Sequence, residues 1–126
     1  MVHVEQIDHV ALTVSDVPRS MSWYEDVLGL RQDGEWDPAS GDPAFMAAGS
    51  TSIALFPVRG EGPPPGWDAI TMQHLAFRID RKGFDKAPEE LREHGLDPRF
   101  ADHGNAHSLY FSDPDGHTIE LTTYEI

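Results

Sequence analysis

The 126-residue chain contains no cysteine, which excludes disulfides, thiolate metal sites and cysteine nucleophiles together. Basic residues are scarce as well: 9 Lys and Arg stand against 22 Asp and Glu, for a formal net charge of −13. That balance lacks the clustered cations that non-specific nucleic-acid binding needs, and it disfavours docking on an anionic membrane. No apolar run approaches the roughly 18 residues of a membrane span. The first residues, Met1 to Gln6, lack the basic start and apolar stretch of a secretory signal. A cytoplasmic protein with neither nucleic-acid nor membrane partners is therefore expected. Seven histidines, the carboxylates, three tyrosines and the backbone remain to carry chemistry.

A chain of this length buries about two-thirds of its unfolded surface and needs no covalent staple, so one domain over 1–126 is expected. Inside it the same unit occurs twice. Ile7-Asp-His-Val-Ala-Leu-Thr-Val14 aligns with Met72-Gln-His-Leu-Ala-Phe-Arg-Ile79, which sets His9 on His74. Leu28-Gly29-Leu30 aligns with His94-Gly95-Leu96, and Ser52-Ile-Ala-Leu55 aligns with Thr118-Ile-Glu-Leu121. The stretches between these anchors match poorly.

Each copy reads as a strand, a helix and further strands. Alternation with β-branched enrichment predicts a strand over 6–14. Asp16 is placed to cap a helix, Pro18 suits its first turn, and Met21, Tyr24 and Leu28 recur at helical spacing up to Gly29. Short strands follow near 31–37, 43–48 and 51–57. The second copy predicts a strand over 71–79 and a helix around 84–94, with Pro88 in its first turn, Leu91 on its core face and Gly95 closing it. Strands near 98–102, 107–112 and 117–124 complete it, the last two joined by a tight turn at Asp113-Pro-Asp-Gly116. The expected class is α+β. Module one spans about 5–58, a stiff Gly/Pro linker about 59–69, and module two about 70–124. Two such modules would join into a curved mixed-sheet trough whose inner wall collects side chains from both.

Among the histidines, His3, His94 and His117 read as solvated. His107 is open to either face of its strand. His9 and His74 differ, because the repeat makes them equivalent positions on equivalent strands. Glu120 replaces Ala54 of the first copy and is flanked by apolar neighbours. An unpartnered inward carboxylate costs several kcal/mol in desolvation, a cost that a divalent cation removes. Two imidazoles and one carboxylate form a facial triad with open coordination positions, which suits catalysis better than a closed structural site.

These residues carry a family resemblance. The two βαβββ units, Asp8-His9, Trp23-Tyr24 with Leu28-Gly-Leu30, Gln73-His74 and Asp113-Pro-Asp-Gly-His-Thr-Ile-Glu120 resemble the vicinal oxygen chelate superfamily. That group includes glyoxalase I, extradiol dioxygenases, fosfomycin-resistance transferases and bleomycin-binding proteins. The resemblance implies that His9, His74 and Glu120 ligate the metal, and it implies the glyoxalase/extradiol-dioxygenase-like fold. Glyoxalase I adds a second Glu where this chain has Ala54. The run Asp102-His103-Gly-Asn-Ala-His-Ser-Leu-Tyr110 resembles the extradiol arrangement, with Tyr110 ten residues before Glu120.

The first expectation is therefore an extradiol-type enzyme. Fe(II) on His9, His74 and Glu120 would chelate a catechol or other vicinal diol, with His103 as acid–base residue and Tyr110 as hydrogen-bond donor. The alternative keeps the triad with Mn(II), Zn(II) or Ni(II) as Lewis acid for a glyoxalase-like lyase or isomerase, or a fosfomycin-type thiol transferase. A third reading is a non-catalytic module that sequesters a small aromatic or drug, with Trp23, Trp36 and Trp67 as contacts. In each the partner is a small molecule, and a homodimer is expected, with the trough formed within one chain or between swapped chains.

Overall fold

A computed structural model of the chain describes residues 1–126 apart from Trp67; the ligand contact considered for that tryptophan lies outside the described residues. Contacts divide the chain into two compact units, Met1–Glu61 and Gly62–Ile126, with the division inside the Gly/Pro linker. Each unit runs strand, helix and three strands, the duplicated α+β order expected from the repeat. No helix among the described residues is long and apolar enough to cross a membrane.

Unit one comprises β1 (His9–Val14), α1 (Val17–Leu28), β2 (Arg31–Gln32), β3 (Ala44–Ala48) and β4 (Thr51–Pro57). Its sheet runs β1-β4-β3-β2, with β1 parallel to β4 and the other pairs antiparallel. Alternation along β1 leaves His9, Ala11 and Thr13 exposed on one face while Val10, Leu12 and Val14 turn inward. Asp16 caps α1, its carboxylate accepting from the Arg19 amide at 3.0 Å. Val17, Ser20 and Tyr24, spaced three and four apart, form the buried stripe, whereas Met21 and Leu28 are only half-buried. Gly29 ends the helix at φ 70°, a left-handed conformation that a Cβ would oppose, and donates its amide to the Glu25 carbonyl.

The strand expected over 31–37 stops after two residues. Beyond it side chains take over the bonding: Gln32 Nε2 donates to the Gly34 carbonyl at 3.1 Å and Trp36 Nε1 to the Asp42 carbonyl at 3.0 Å. Those bonds close a loop, and they give Trp36 a structural partner.

Unit two comprises β5 (Leu75–Arg78), α2 (Arg81–Glu93), β6 (Arg99–Asp102), β7 (His107–Ser112) and β8 (Thr118–Thr123), in sheet order β5-β8-β7-β6. β5 is parallel to β8, and the other pairs are antiparallel. The ladder of β5 begins after His74, later than the expected strand start. α2 begins at Arg81 rather than 84, because the Asp80 carboxylate captures the Gly83 amide at 2.7 Å and sets the cap there. Pro88 consequently lies inside the helix instead of in its first turn. It lacks the amide that would reach the Phe84 carbonyl, a loss of about 3 kcal/mol in a helix interior. Burial of Phe84 and Leu91 on one face contributes roughly 1.5–3 kcal/mol each, so packing outweighs the missing bond.

The β7–β8 hairpin follows the expected boundaries closely. Gly116, at φ 87°, donates to the Asp113 carbonyl at 3.0 Å. Asp113 Oδ1 accepts from the Asp115 and His117 amides at 3.0 and 2.8 Å. This turn sets the register that pairs Tyr110 with Glu120 and Ser108 with Thr122. Alternation then puts Ser108 and Tyr110 on one face with Glu120 and Thr122, and His107, Leu109 and Phe111 on the other with Ile119 and Leu121.

Candidate functional site

Unit two brings two of the three expected metal ligands together. His74, one residue ahead of β5, places Nε2 2.9 Å from Oε1 of Glu120 in the middle of β8. Glu120 is only 8 % exposed, and its Oε2 accepts a 2.7 Å hydrogen bond from the Ser108 hydroxyl on the neighbouring strand. His74 Nδ1 lies 3.1 Å from Gln73 Oε1. That oxygen can only accept, so the Nδ1 proton is held there. In the neutral ring Nε2 then presents a lone pair to a carboxylate oxygen. Two acceptors facing each other require a proton or a cation between them.

A divalent cation fits this donor set. Ligands about 2.1 Å from one ion and at right angles stand about 3.0 Å apart, close to the separation here. The Gln73 and Ser108 partners are the outer bonds that orient and tune metal-ligating His and carboxylate groups.

His9 lies in unit one, at the start of β1. Its Nδ1 is 2.8 Å from Oδ2 of Asp8, and its ring meets Phe45 edge-on at 5.4 Å. As in unit two, the preceding residue engages Nδ1 and Nε2 is left for a ligand. Among the described residues no three His, Asp or Glu side chains gather as a metal-holding group. His74 and Glu120 form the pair, and His9 belongs to the other unit.

His103, expected as the acid–base residue, and Tyr110, expected as a hydrogen-bond donor, are in contact. His103 Nε2 and the Tyr110 hydroxyl are 3.0 Å apart, and the Tyr110 ring meets His74 edge-on at 5.8 Å. A row of side chains therefore leads from His103 through Tyr110 to His74 and Glu120. Gly104, whose amide donates to Asp102 Oδ1 at 2.8 Å, tightens the loop that carries His103.

His107 points the other way. Its Nδ1 accepts from Arg81 Nη1 at 2.9 Å, and its ring lies against Phe84 and Phe100 on the α2 side. Trp23 packs edge-on against Tyr24 at 4.8 Å. Sequence reasoning had no role for Asp8, Gln73, Ser108 or Arg99. The first two had a usable signal, an oxygen-bearing side chain directly before each repeated histidine.

A cleft of about 630 Å³ opens within unit two, lined among others by Gln73, His74, Arg99, Tyr110, Ser112 and Thr118. Its size is that of a small-molecule site.

The Glyoxalase/Bleomycin resistance protein/Dioxygenase superfamily model matches residues 6–121, and the chain belongs to that family. It is 32% identical over 123 residues to metallothiol transferase FosB of Staphylococcus epidermidis, covering 95% of this chain and 82% of that relative. It is 34% identical over 122 residues to biphenyl-2,3-diol 1,2-dioxygenase 3 of Rhodococcus globerulus, covering 92% of this chain and 62% of the dioxygenase. Among solved structures it is similar to the fosfomycin resistance protein FosX of Mesorhizobium loti, with a TM-score of 0.70, 27% identity and coverage of 96% and 93%. The extradiol expectation thus has a relative in its favour, matched over less of its length than the thiol transferase.

Proposed function

We propose that the protein is a divalent-metal-dependent enzyme that transfers a thiol to a small electrophilic substrate bearing adjacent oxygens, with His9, His74 and Glu120 as metal ligands. The observation that carries this reading is the His74–Glu120 pair, its two lone-pair atoms 2.9 Å apart and backed by Gln73 and Ser108. The thiol-transferase relative, matched over most of both chains, favours this reaction over ring cleavage. A bound Mn(II), Zn(II) or Ni(II) would supply Lewis acidity, polarising a substrate oxygen without changing its own oxidation state.

The chain's own residues have distinct tasks. Glu120 and His74 present donors already turned toward one point, so little side-chain entropy remains to be lost on loading. The Tyr110 hydroxyl, at the cleft wall and hydrogen-bonded to His103, is placed to hand over a proton. In the reaction a sulfur–carbon bond forms, a carbon–oxygen bond of a strained ring breaks, and the thiol proton ends on the released oxygen. His103 and Tyr110 would carry that proton.

The test is a thiol-consumption assay with fosfomycin and either cysteine or glutathione, on protein loaded with Mn(II). Adduct formation that disappears in Glu120→Ala supports the reading, and no consumption of either thiol opposes it. Because His9 stands in unit one, mixing His9→Ala and His74→Ala proteins asks where the third ligand comes from. Recovery of metal binding in the mixture would mean that the homodimer completes the set from two chains.

The His103–Tyr110 hydrogen bond supports a second reading, the extradiol one with Fe(II). Elemental analysis of protein purified without added metal separates the two. Iron, followed by a yellow ring-opened product from catechol after anaerobic Fe(II) loading, would favour the second.

A further inference from the structure

We infer that the Asp33–Gly34 peptide is a site of self-modification, at which Asp33 of the folded chain isomerises to isoaspartate, and that the turn around Asp115–Gly116 protects the second such pair. In an Asp-Gly pair the following amide nitrogen reaches the aspartate carboxyl with least obstruction, because glycine has no Cβ beside it. The chain has two Asp-Gly pairs, at 33–34 and 115–116. Their reactive atoms are the same, and their surroundings differ.

The Gly34 nitrogen attacks Cγ of Asp33. A nitrogen–carbon bond forms, the bond from Cγ to its hydroxyl breaks, and the amide proton leaves with that hydroxyl as water. The product is a five-membered succinimide ring. Water then adds back at one of the two ring carbonyls. Addition at the former main-chain carbonyl routes the backbone through the Asp33 side chain and leaves that carbonyl carbon as a free carboxylate. Mass is unchanged overall, and water is the one reactant.

At the first pair nothing holds the reacting groups. Asp33 and Gly34 are exposed in the loop that follows β2. The Asp33 amide donates to the Phe45 carbonyl at 2.8 Å and the Gly34 carbonyl accepts from Gln32 Nε2 at 3.1 Å. Neither bond uses the nucleophile or the carboxyl group. Among the described residues the Gly34 amide donates to no acceptor and the Asp33 carboxylate accepts no hydrogen bond. Asp37 and Asp42 of the same loop are each followed by proline, which has no N–H to give up.

At the second pair the nucleophile is engaged. The Gly116 amide donates to the Asp113 carbonyl at 3.0 Å, and the Asp115 amide donates to Asp113 Oδ1 at 3.0 Å. Asp113, itself buried, is bonded in turn to His117 by its amide and its carboxylate. Swinging Asp115 Cγ over the Gly116 nitrogen requires this turn to open first. No atom lies within 4 Å of where a Cβ would stand on either glycine, so bonding rather than space separates the two. At Asp33 the added main-chain carbon falls one step past the last rung to β3, between that rung and the Gln32–Gly34 bond.

The experiment incubates the folded protein at neutral pH and 37 °C beside a sample unfolded in concentrated urea. Trypsin then separates the sites, because Arg31, Arg59 and Arg99 bound the peptides 32–59 and 100–126 that carry them. Electron-transfer fragmentation locates isoaspartate in each. In the folded protein position 33 should convert at least about tenfold faster than position 115, whereas in urea the two should agree within about threefold. Asp33→Glu should remove the isoaspartate from peptide 32–59, and Asp33→Asn should deamidate in the folded chain. The proposal is overturned if position 33 stays unconverted while the unfolded sample reacts, if the folded ratio is below tenfold, or if the same ratio persists in urea. Isoaspartate in peptide 32–59 of Asp33→Glu would overturn the assignment to Asp33.

Discussion

The two units repeat one backbone plan with different side chains at matching places. In unit one the strand histidine His9 meets Phe45 edge-on, and Phe45 pairs with Ala54, which is fully buried. In unit two His74 meets Tyr110 edge-on, and Tyr110 pairs with Glu120. Each histidine also has its Nδ1 engaged by the side chain directly before it, Asp8 or Gln73. Duplication thus preserved the histidine, its outer partner and its ring contact. The acid and the hydroxyl occur in the second copy alone, where Ser108 adds a hydrogen bond to the acid. The helices follow the same logic: Val17, Ser20 and Tyr24 of α1 correspond to Phe84, Ala87 and Leu91 of α2. One copy keeps a hydroxyl at the centre of its stripe and the other a methyl group.

Glu120→Ala, which gives unit two the residue of unit one, should have the largest effect. Metal affinity should drop by more than about 100-fold, beyond the loss typical of an outer partner, as read by zinc titration on folded protein. An unchanged affinity would mean that Glu120 is only a buried acid.

Ser108→Ala should follow. It strips Glu120 Oε2 of its hydrogen bond and should lower metal affinity about 10–100-fold. Chemical denaturation should also show a loss of roughly 1–3 kcal/mol for the buried unsatisfied oxygen. Affinity equal to the native chain would show that the hydrogen bond has no influence on the ligand.

Smaller still should be the paired changes Asp8→Leu and Gln73→Leu, each freeing one histidine ring to rotate. About a tenfold loss of metal affinity is expected from each. A loss confined to Gln73→Leu would break the equivalence of the units and leave His9 outside the site.

Ser20→Ala should have the smallest effect and the opposite sign. The Ser20 hydroxyl is fully buried without a hydrogen-bond partner. Adopting the methyl that unit two carries at Ala87 should stabilise the fold by about 1 kcal/mol, a rise of a few degrees in Tm. A fall in Tm would mean that the hydroxyl has a role in α1 that its counterpart lacks.

Much of the fold was legible because its signals are local. Asp16 and Gly29 bracket α1 through bonds spanning three or four residues, and Asp113 to Gly116 fold back on themselves. Errors arose where a local preference met a competing partner. Pro88 reads as a helix start, yet Asp80 captures the Gly83 amide earlier and the buried Phe84–Leu91 stripe carries the helix across the proline. The run 31–37 alternates well enough for a strand, but Gln32 and Trp36 bond to loop carbonyls instead.

The sequence by itself determined the duplicated plan, the matched histidines and the odd acid at Glu120, because repeats and periodicity are properties of order along the chain. Only the tertiary structure decided that Glu120 faces His74, that Ser108 and Gln73 hold them, that His107 turns to α2 and that Arg99 lies over Tyr110. These outcomes depend on strand register and rotamer. A hydrogen bond forms or fails within a few tenths of an ångström, a scale that residue order does not encode.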